Sequence, residues 1–262
     1  ALTSDLTCSA DDVVFARAST ATCDHADGTR TSLATGVACH DATWGLRVER
    51  TSRTNIALQS DRLDVSNVWV PASTGGPALP VVTLDAAAGR DGQTTCEQID
   101  YPAVSVASTY SFIYQAFSAG ADTRSIAVDI KGVSGSGTFY MSNENNNATV
   151  WDTVACTYNS STWTRCVLDG TSTTAVWYFL LGTDLRDPAQ SATPAQSLYV
   201  CAPQAELGAW ASSYIPTTTA TVTRAAESAT LATTGWDPVS LRVTETVRWI
   251  VDPDATAVTH HL

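Results

Sequence analysis

The sequence predicts an all-β protein built as a β-sandwich, and three observations predict it. Threonine is the commonest residue and valine is abundant, and β-branched side chains favour strands. Long helix formers are scarce, with one Met, one Lys and six Glu in 262 residues, and no amphipathic helix of useful length can be traced. Short alternating segments follow one another at close spacing, separated by turn residues, as in two packed sheets.

In chain order, residues 1–45 are polar, turn-rich and irregular, with one strand-like run at Val13-Val14-Phe15. Leu46-Arg47-Val48 and Asn55-Ile56-Ala57-Leu58 open the alternating series, followed by Leu79 to Leu84. Thr109 to Phe117 is the clearest aromatic strand. Ser125 to Ile130, Thr138 to Met141, Arg165 to Leu168, Ala175 to Leu181 and Leu198 to Ala202 continue the pattern. Gly75-Gly76-Pro77, Gly89-Arg90-Asp91-Gly92, Gly132 to Gly137 and Asp187-Pro188 supply the turns between them. Near the end, Leu241, Val243, Val247, Trp249 and Val251 share the face of one further strand, interrupted by Glu245. The expected organisation is an N-terminal segment, 1–45, packed on the core, a sandwich domain, 46–227, and a linker with an extra C-terminal strand, 228–262. The last part reads as the start of a second, truncated sandwich. His260-His261-Leu262 fits the end of an ordered region, appended residues, or the upstream half of a self-cleavage site.

Composition excludes several functions. A formal charge of −12 and a single lysine, Lys131, argue against nucleic acid, whose phosphates need clustered Lys and Arg, and against a polybasic membrane patch. No apolar run approaches the ~18 residues of a membrane span. The first residues lack the basic and apolar regions of a signal peptide.

Seven cysteines, with no C-x-x-C pair, point to disulfides and an oxidising setting. Cys156 and Cys166 flank a turn between two strand-like runs, so a cross-hairpin bond is sterically easy. Cys96 and Cys201 sit in apolar runs that suit neighbouring strands. Cys23 and Cys39 can close the N-terminal segment, which leaves Cys8 odd. The competing reading is zinc, held by Cys8, Cys23 and Cys39 with His25 or His40, although the spacing matches no standard zinc pattern. The acidic excess also leaves room for a structural Ca²⁺, with no ligand set assignable and no other cofactor expected.

Catalytic motifs are absent from the sequence. There is no G-x-S-x-G, P-loop, G-x-G-x-x-G or H-E-x-x-H. The four histidines lie near the two ends of the chain, far from any buried relay, and no enzyme is expected. Sugars stack their C–H faces on Trp and Tyr while amides and carboxylates hold their hydroxyls. Tyr140, Asn143, Asn145 and Trp151, around the amide-rich run Asn143-Glu144-Asn145-Asn146-Asn147, are the local candidates for such a carbohydrate rim. For Tyr140 and Trp151 the competing reading is a core aromatic, and for the Asn run a solvated loop.

Six motifs occur in a set order: Phe15-Ala16-Arg17-Ala18-Ser19-Thr20-Ala21-Thr22, Gly45-Leu46-Arg47-Val48-Glu49, Arg53-Thr54-Asn55-Ile56, Gln204-Ala205-Glu206-Leu207-Gly208, Ser213-Tyr214-Ile215-Pro216-Thr217 and Val222-Thr223-Arg224-Ala225-Ala226. Over residues 13–227 this set resembles the non-catalytic β-jelly-roll module of bacteriophage virion proteins, such as tail, fibre and head-spike components. It is also similar to the carbohydrate-binding jelly rolls of secreted glycanases. The resemblance implies a jelly roll on a virion surface or in the extracellular space, acting in decoration, attachment or glycan contact. Its implied partners are other virion proteins or a cell-surface glycan, within a homo-oligomer or larger assembly. The alternatives are a carbohydrate-binding module of a secreted enzyme or, from another class, a hydrolase in its own right. Read physically, Arg17, Arg53 and Arg224 precede small residues at strand ends, and Glu49, Glu206 and Glu227 lie near such ends. These side chains are expected to pair and clamp the N-terminal segment to the sandwich. The competing reading is separate solvated charges.

Overall fold

A computed structural model describes residues 13–118, 123–145, 151–171 and 176–231. Among the described residues every regular element is a strand. Two five-stranded antiparallel sheets carry the molecule. The first runs in the order β13 (Trp151–Asn159), β12 (Ser136–Asn145), β15 (Val176–Asp184), β10 (Tyr110–Ser118) and β7 (Val70–Thr74). The second runs β14 (Thr164–Thr171), β11 (Thr123–Gly132), β16 (Gln196–Leu207), β9 (Thr94–Tyr101) and β8 (Val81–Ala88).

Period-two alternation builds the core. Ile113, Phe117, Phe139, Met141, Trp177, Phe179 and Leu181 point inward from the first sheet; Ile99, Ile126, Val128, Ile130, Leu198 and Val200 meet them from the second. Trp69 closes the layer edge-on to Phe179 at 5.7 Å and donates its indole N–H to the Leu58 carbonyl at 3.0 Å. A buried Trp without such a partner would leave an unsatisfied donor. This is the β-sandwich that alternation predicts.

The flanking segments join neither large sheet. β1 (Val13–Arg17) pairs with β18 (Glu227–Leu231), so residues near the two described ends lie side by side. β2 (Ala21–Asp24) and β3 (Arg30–Leu33) form one hairpin, and β4 (Cys39–Asp41) and β5 (Gly45–Arg47) another. β6 (Arg53–Asn55) pairs with β17 (Val222–Arg224). The strand expected over 241–251, the terminal His260-His261-Leu262, and Cys8 lie outside the described residues.

The first hairpin docks on the outer face of the second sheet through a buried charge network. Asp129, on β11 between the inward Val128 and Ile130, accepts from Arg30 Nη1 at 2.6 Å, and Arg165 and Arg90 lie 3.4 and 3.6 Å from its other oxygen. Arg30 Nε also donates to Asp24 at 2.7 Å, and its guanidinium lies 4.9 Å from the Tyr214 ring centre. Burial works against the Arg30 cation, but Asp129 and Asp24 outweigh it and raise its pKa. Breaking one member of such a set leaves a charge buried without its partner.

Three disulfides hold the same regions. Cys23–Cys39 ties the two N-terminal hairpins, Cys96–Cys201 crosses from β9 to β16, and Cys156–Cys166 joins β13 to β14, one strand from each sheet. With Cys23 and Cys39 bonded to each other neither is a thiolate, so the zinc shell considered from the sequence does not form.

Candidate functional site: the outer face of the first sheet

Four carbohydrate candidates stand out in the sequence, and the structure does not bring them to one surface. Tyr140 and Trp151 alternate with core residues and face outward from β12 and β13. Asn143 and Asn145 share the inward parity of Phe139 and Met141 and are buried, opposite Asp152 and Trp177. The expected amide loop is strand up to Asn145, so period two separates its members; Asn146 and Asn147 lie outside the described residues.

A different set of side chains does share that outer face. In β10 the residues between the core positions are Tyr110, Phe112 and Tyr114, and β15 contributes Tyr178. Tyr110 stacks on Phe112 with centroids 4.7 Å apart, Phe112 meets Tyr114 edge-on at 6.0 Å, and Tyr114 meets Tyr178 edge-on at 5.3 Å. Phe112 is buried beneath its neighbours, whereas the three tyrosines are partly exposed. Gly182 permits the close approach of β10 and β15 here. Its φ is +137°, and a Cβ would stand 2.7 Å from the Ser111 carbonyl oxygen and 2.8 Å from Phe112 Cα.

Polar groups border this aromatic file. Arg186 grips Asp184 through two N–H groups, Nε to Oδ1 at 2.9 Å and Nη2 to Oδ2 at 2.5 Å. Its guanidinium lies 4.3 Å from the Tyr110 ring centre, and Nη2 lies 3.4 Å from Glu144 Oε2. Burial pushes the Glu144 carboxyl up to about 7; Arg186 pulls it down, while Asp184 and Asp187 add to the rise. Residues 185–191 then fold back across the sheet. Thr153 Oγ1 donates to Asp187, Gln190 Nε2 donates to Ser142 Oγ at 2.9 Å, and the Ser191 amide donates to Tyr140 Oη at 3.1 Å. This strap explains why Tyr140, though outward-facing, is buried. Trp151 stands cross-strand from Glu144 and is half-buried.

The residues expected to clamp the chain ends are placed as follows. Arg17 Nη1 donates to Glu227 Oε1 at 2.7 Å. Glu227 Oε2 accepts the Glu49 amide at 2.6 Å, and Glu49 accepts the amide and hydroxyl of Ser213 at 2.8 and 2.6 Å. Arg224 Nε lies 3.2 Å from Glu49 Oε2. Burial opposes ionisation of Glu49, but Arg47, Arg224 and Ser213 together hold its pKa below the ordinary value. Arg53 donates to the Leu207 carbonyl at 2.7 Å, and Glu206 accepts from the Ser212 amide and hydroxyl; burial raises the Glu206 pKa against the pull of Ser212 and Arg53. No group of three or more His, Cys, Asp or Glu among the described residues could hold a metal ion.

No family model and no curated protein matches the chain. Among solved structures it is similar to a family 11 carbohydrate-binding module from Clostridium thermocellum in complex with a β-1,3-1,4-mixed-linked tetrasaccharide. That likeness has 14% identity and a TM-score of 0.40 over 62% of this chain and 99% of the module. A CBM22-1 xylan-binding domain from Paenibacillus barcinonensis gives 14% identity and 0.38 over 63% and 99%. The enzymatically active domain of tailspike protein 4 of bacteriophage CBA120 gives 9% and 0.35 over 62% of this chain and 22% of that one. These likenesses are remote, and the sandwich stands on its own strand order and register.

Proposed function

We propose that the chain is a non-catalytic glycan-contacting module that binds sugar on the outer face of its first sheet. One observation carries the reading: the tyrosine file Tyr110, Tyr114 and Tyr178, backed by Phe112, lies partly exposed on a sheet face and is edged by Arg186. Exposed aromatic rings beside fixed hydrogen-bonding groups suit a pyranose ring, which offers C–H groups on its face and hydroxyls at its rim. The setting is extracellular, in keeping with three disulfides. The virion resemblance of the sequence further supports a role in attachment or decoration of a phage particle. Retention of the protein on a glycan array, lost in Tyr114→Ala, tests the binding function; a protein that no neutral or charged glycan on the array retains overturns it. Detection of the chain in purified particles by mass spectrometry tests the setting, and its absence from them overturns that part.

A further inference from the structure

Resting on the glycan reading, we propose that the outer face takes the terminal unit of a sugar chain or branch and excludes internal segments. A site for internal segments must be open on both sides, so that the polymer can run through it. Here the 185–191 strap closes one side. It covers outward positions of β12: Ser142 is 0% and Tyr140 7% exposed although both face away from the core. The strap is fixed, unlike a mobile lid. The Asp184 amide donates to Gln190 Oε1 at 2.9 Å and the Ala189 amide to Asp187 Oδ1 at 2.8 Å, while Thr153, Ser142 and Tyr140 tie it to the sheet. The Asp187 and Gln190 side chains are themselves buried in this contact.

Arg186 is the part of this wall that meets the tyrosines. Its Nε and Nη2 are taken by Asp184, with Glu144 behind Nη2. Among the described residues Nη1 has no protein partner, and the side chain keeps 29% of its exposure. The two carboxylates therefore hold the guanidinium plane against Tyr110 and present one free N–H edge beside the aromatic file. A sugar unit on the aromatic file at its Tyr110 end would abut that edge, which donates to a hydroxyl at the end of the chain. Glu144 and Asp184 are positioning residues, since both are buried behind Arg186.

The test is calorimetric titration of the intact protein with neutral β-1,4-linked glucose, xylose, mannose and galactose ladders, disaccharide to hexasaccharide, and with the parent polysaccharides. The expected result is a bound series whose affinity stays within about twofold from dimer to hexamer, with one protein per chain end on the polysaccharide. Affinity that climbs tenfold or more with length, or several proteins per linear chain, overturns end recognition and leaves the glycan reading standing. Failure of every ladder and polysaccharide to bind, alongside an array without retention, removes both. In Arg186→Gln, with unchanged near-UV circular dichroism, all lengths should weaken equally; unchanged affinity overturns the role of the wall.

Discussion

Arg17 and Glu227, 210 residues apart in sequence, meet in an ion pair of 2.7 Å with side chains 0% and 2% exposed. Arg17 also donates to the carbonyls of Ser19, Ala34 and Val37, so one guanidinium fixes β1, the loop after β3 and β18 at once. Arg17→Ala leaves a buried carboxylate short of its cation, which costs about 3–5 kcal/mol. A large drop in the urea midpoint is expected, and an Arg17→Ala protein that unfolds like the parent refutes the clamp. The double mutant with Glu227→Gln should recover part of the loss.

Glu97 gives the stability a pH dependence. It lies on β9 with 0% exposure, and neither carboxylate oxygen makes a hydrogen bond of good geometry. Burial pushes its pKa up to about 8, against the amides of Glu97 and Leu63 and with the help of Asp64 and Asp85. Folding therefore tightens proton binding. The stability owed to the protonated form is complete below the ordinary 4.5 and is lost as pH rises towards about 8. At about 1.4 kcal/mol for each tenfold gain in proton affinity, this is on the order of a few kcal/mol. Glu97→Gln should raise the melting temperature at pH 9 and leave it unchanged at pH 4; equal effects at both would contradict the assignment.

The disulfides should rank by the chain they close. Cys96–Cys201 spans 105 residues, against 16 for Cys23–Cys39 and 10 for Cys156–Cys166. Loop entropy gives about 4.7 kcal/mol for a 100-residue loop and about 3 for a 15-residue one. Replacing each pair with serines and comparing urea midpoints should show the largest loss for Cys96/Cys201. A larger loss for Cys156/Cys166 would mean that native-state packing outweighs the constraint on the unfolded chain.

Tyr114→Ala and Tyr178→Ala each remove one face from the aromatic file while the core beneath, Ile113 and Phe179, stays in place. Each should weaken glycan retention by about tenfold, or about 1.4 kcal/mol, with modest change in melting temperature. Retention unaltered in both variants would move the site off this face.

The sandwich was legible because apolar residues recur at the inward, every-second positions along β10, β11, β15 and β16. β7, Val70–Thr74, escaped because Pro71 and small residues hide its alternation, and the strand-like run before the Cys156–Cys166 turn, β13, begins earlier than its pattern shows, at Trp151 beside the amide run. The aromatic file was also written in the sequence: Tyr110, Phe112 and Tyr114 occupy every second position, out of phase with Ile113 and Phe117. The amide run drew attention instead, although its own spacing sends Asn143 and Asn145 inward once residues 136–145 form one strand. What no local pattern reveals is the strap. Gln190 meeting Ser142, and Arg186 bridging towards Glu144, depend on where residues 185–191 fold back. The Arg30–Asp129 contact is equally non-local, linking residues 99 apart.

The antiparallel register that sets Val13 opposite Leu231 has a mechanical side. Chain entering at Val13 and chain leaving at Leu231 are neighbours, so tension between the two leads pulls β1 and β18 apart from their open end. The hydrogen bonds then break in succession, a peeling mode that yields at lower force than sliding two strands past each other. The zip ends at Arg17 and Glu227, the last register pair and also the buried ion pair. The two short strands thus act as a soft tether in series with a latch, and the disulfide-bonded sandwich carries no load until that latch opens.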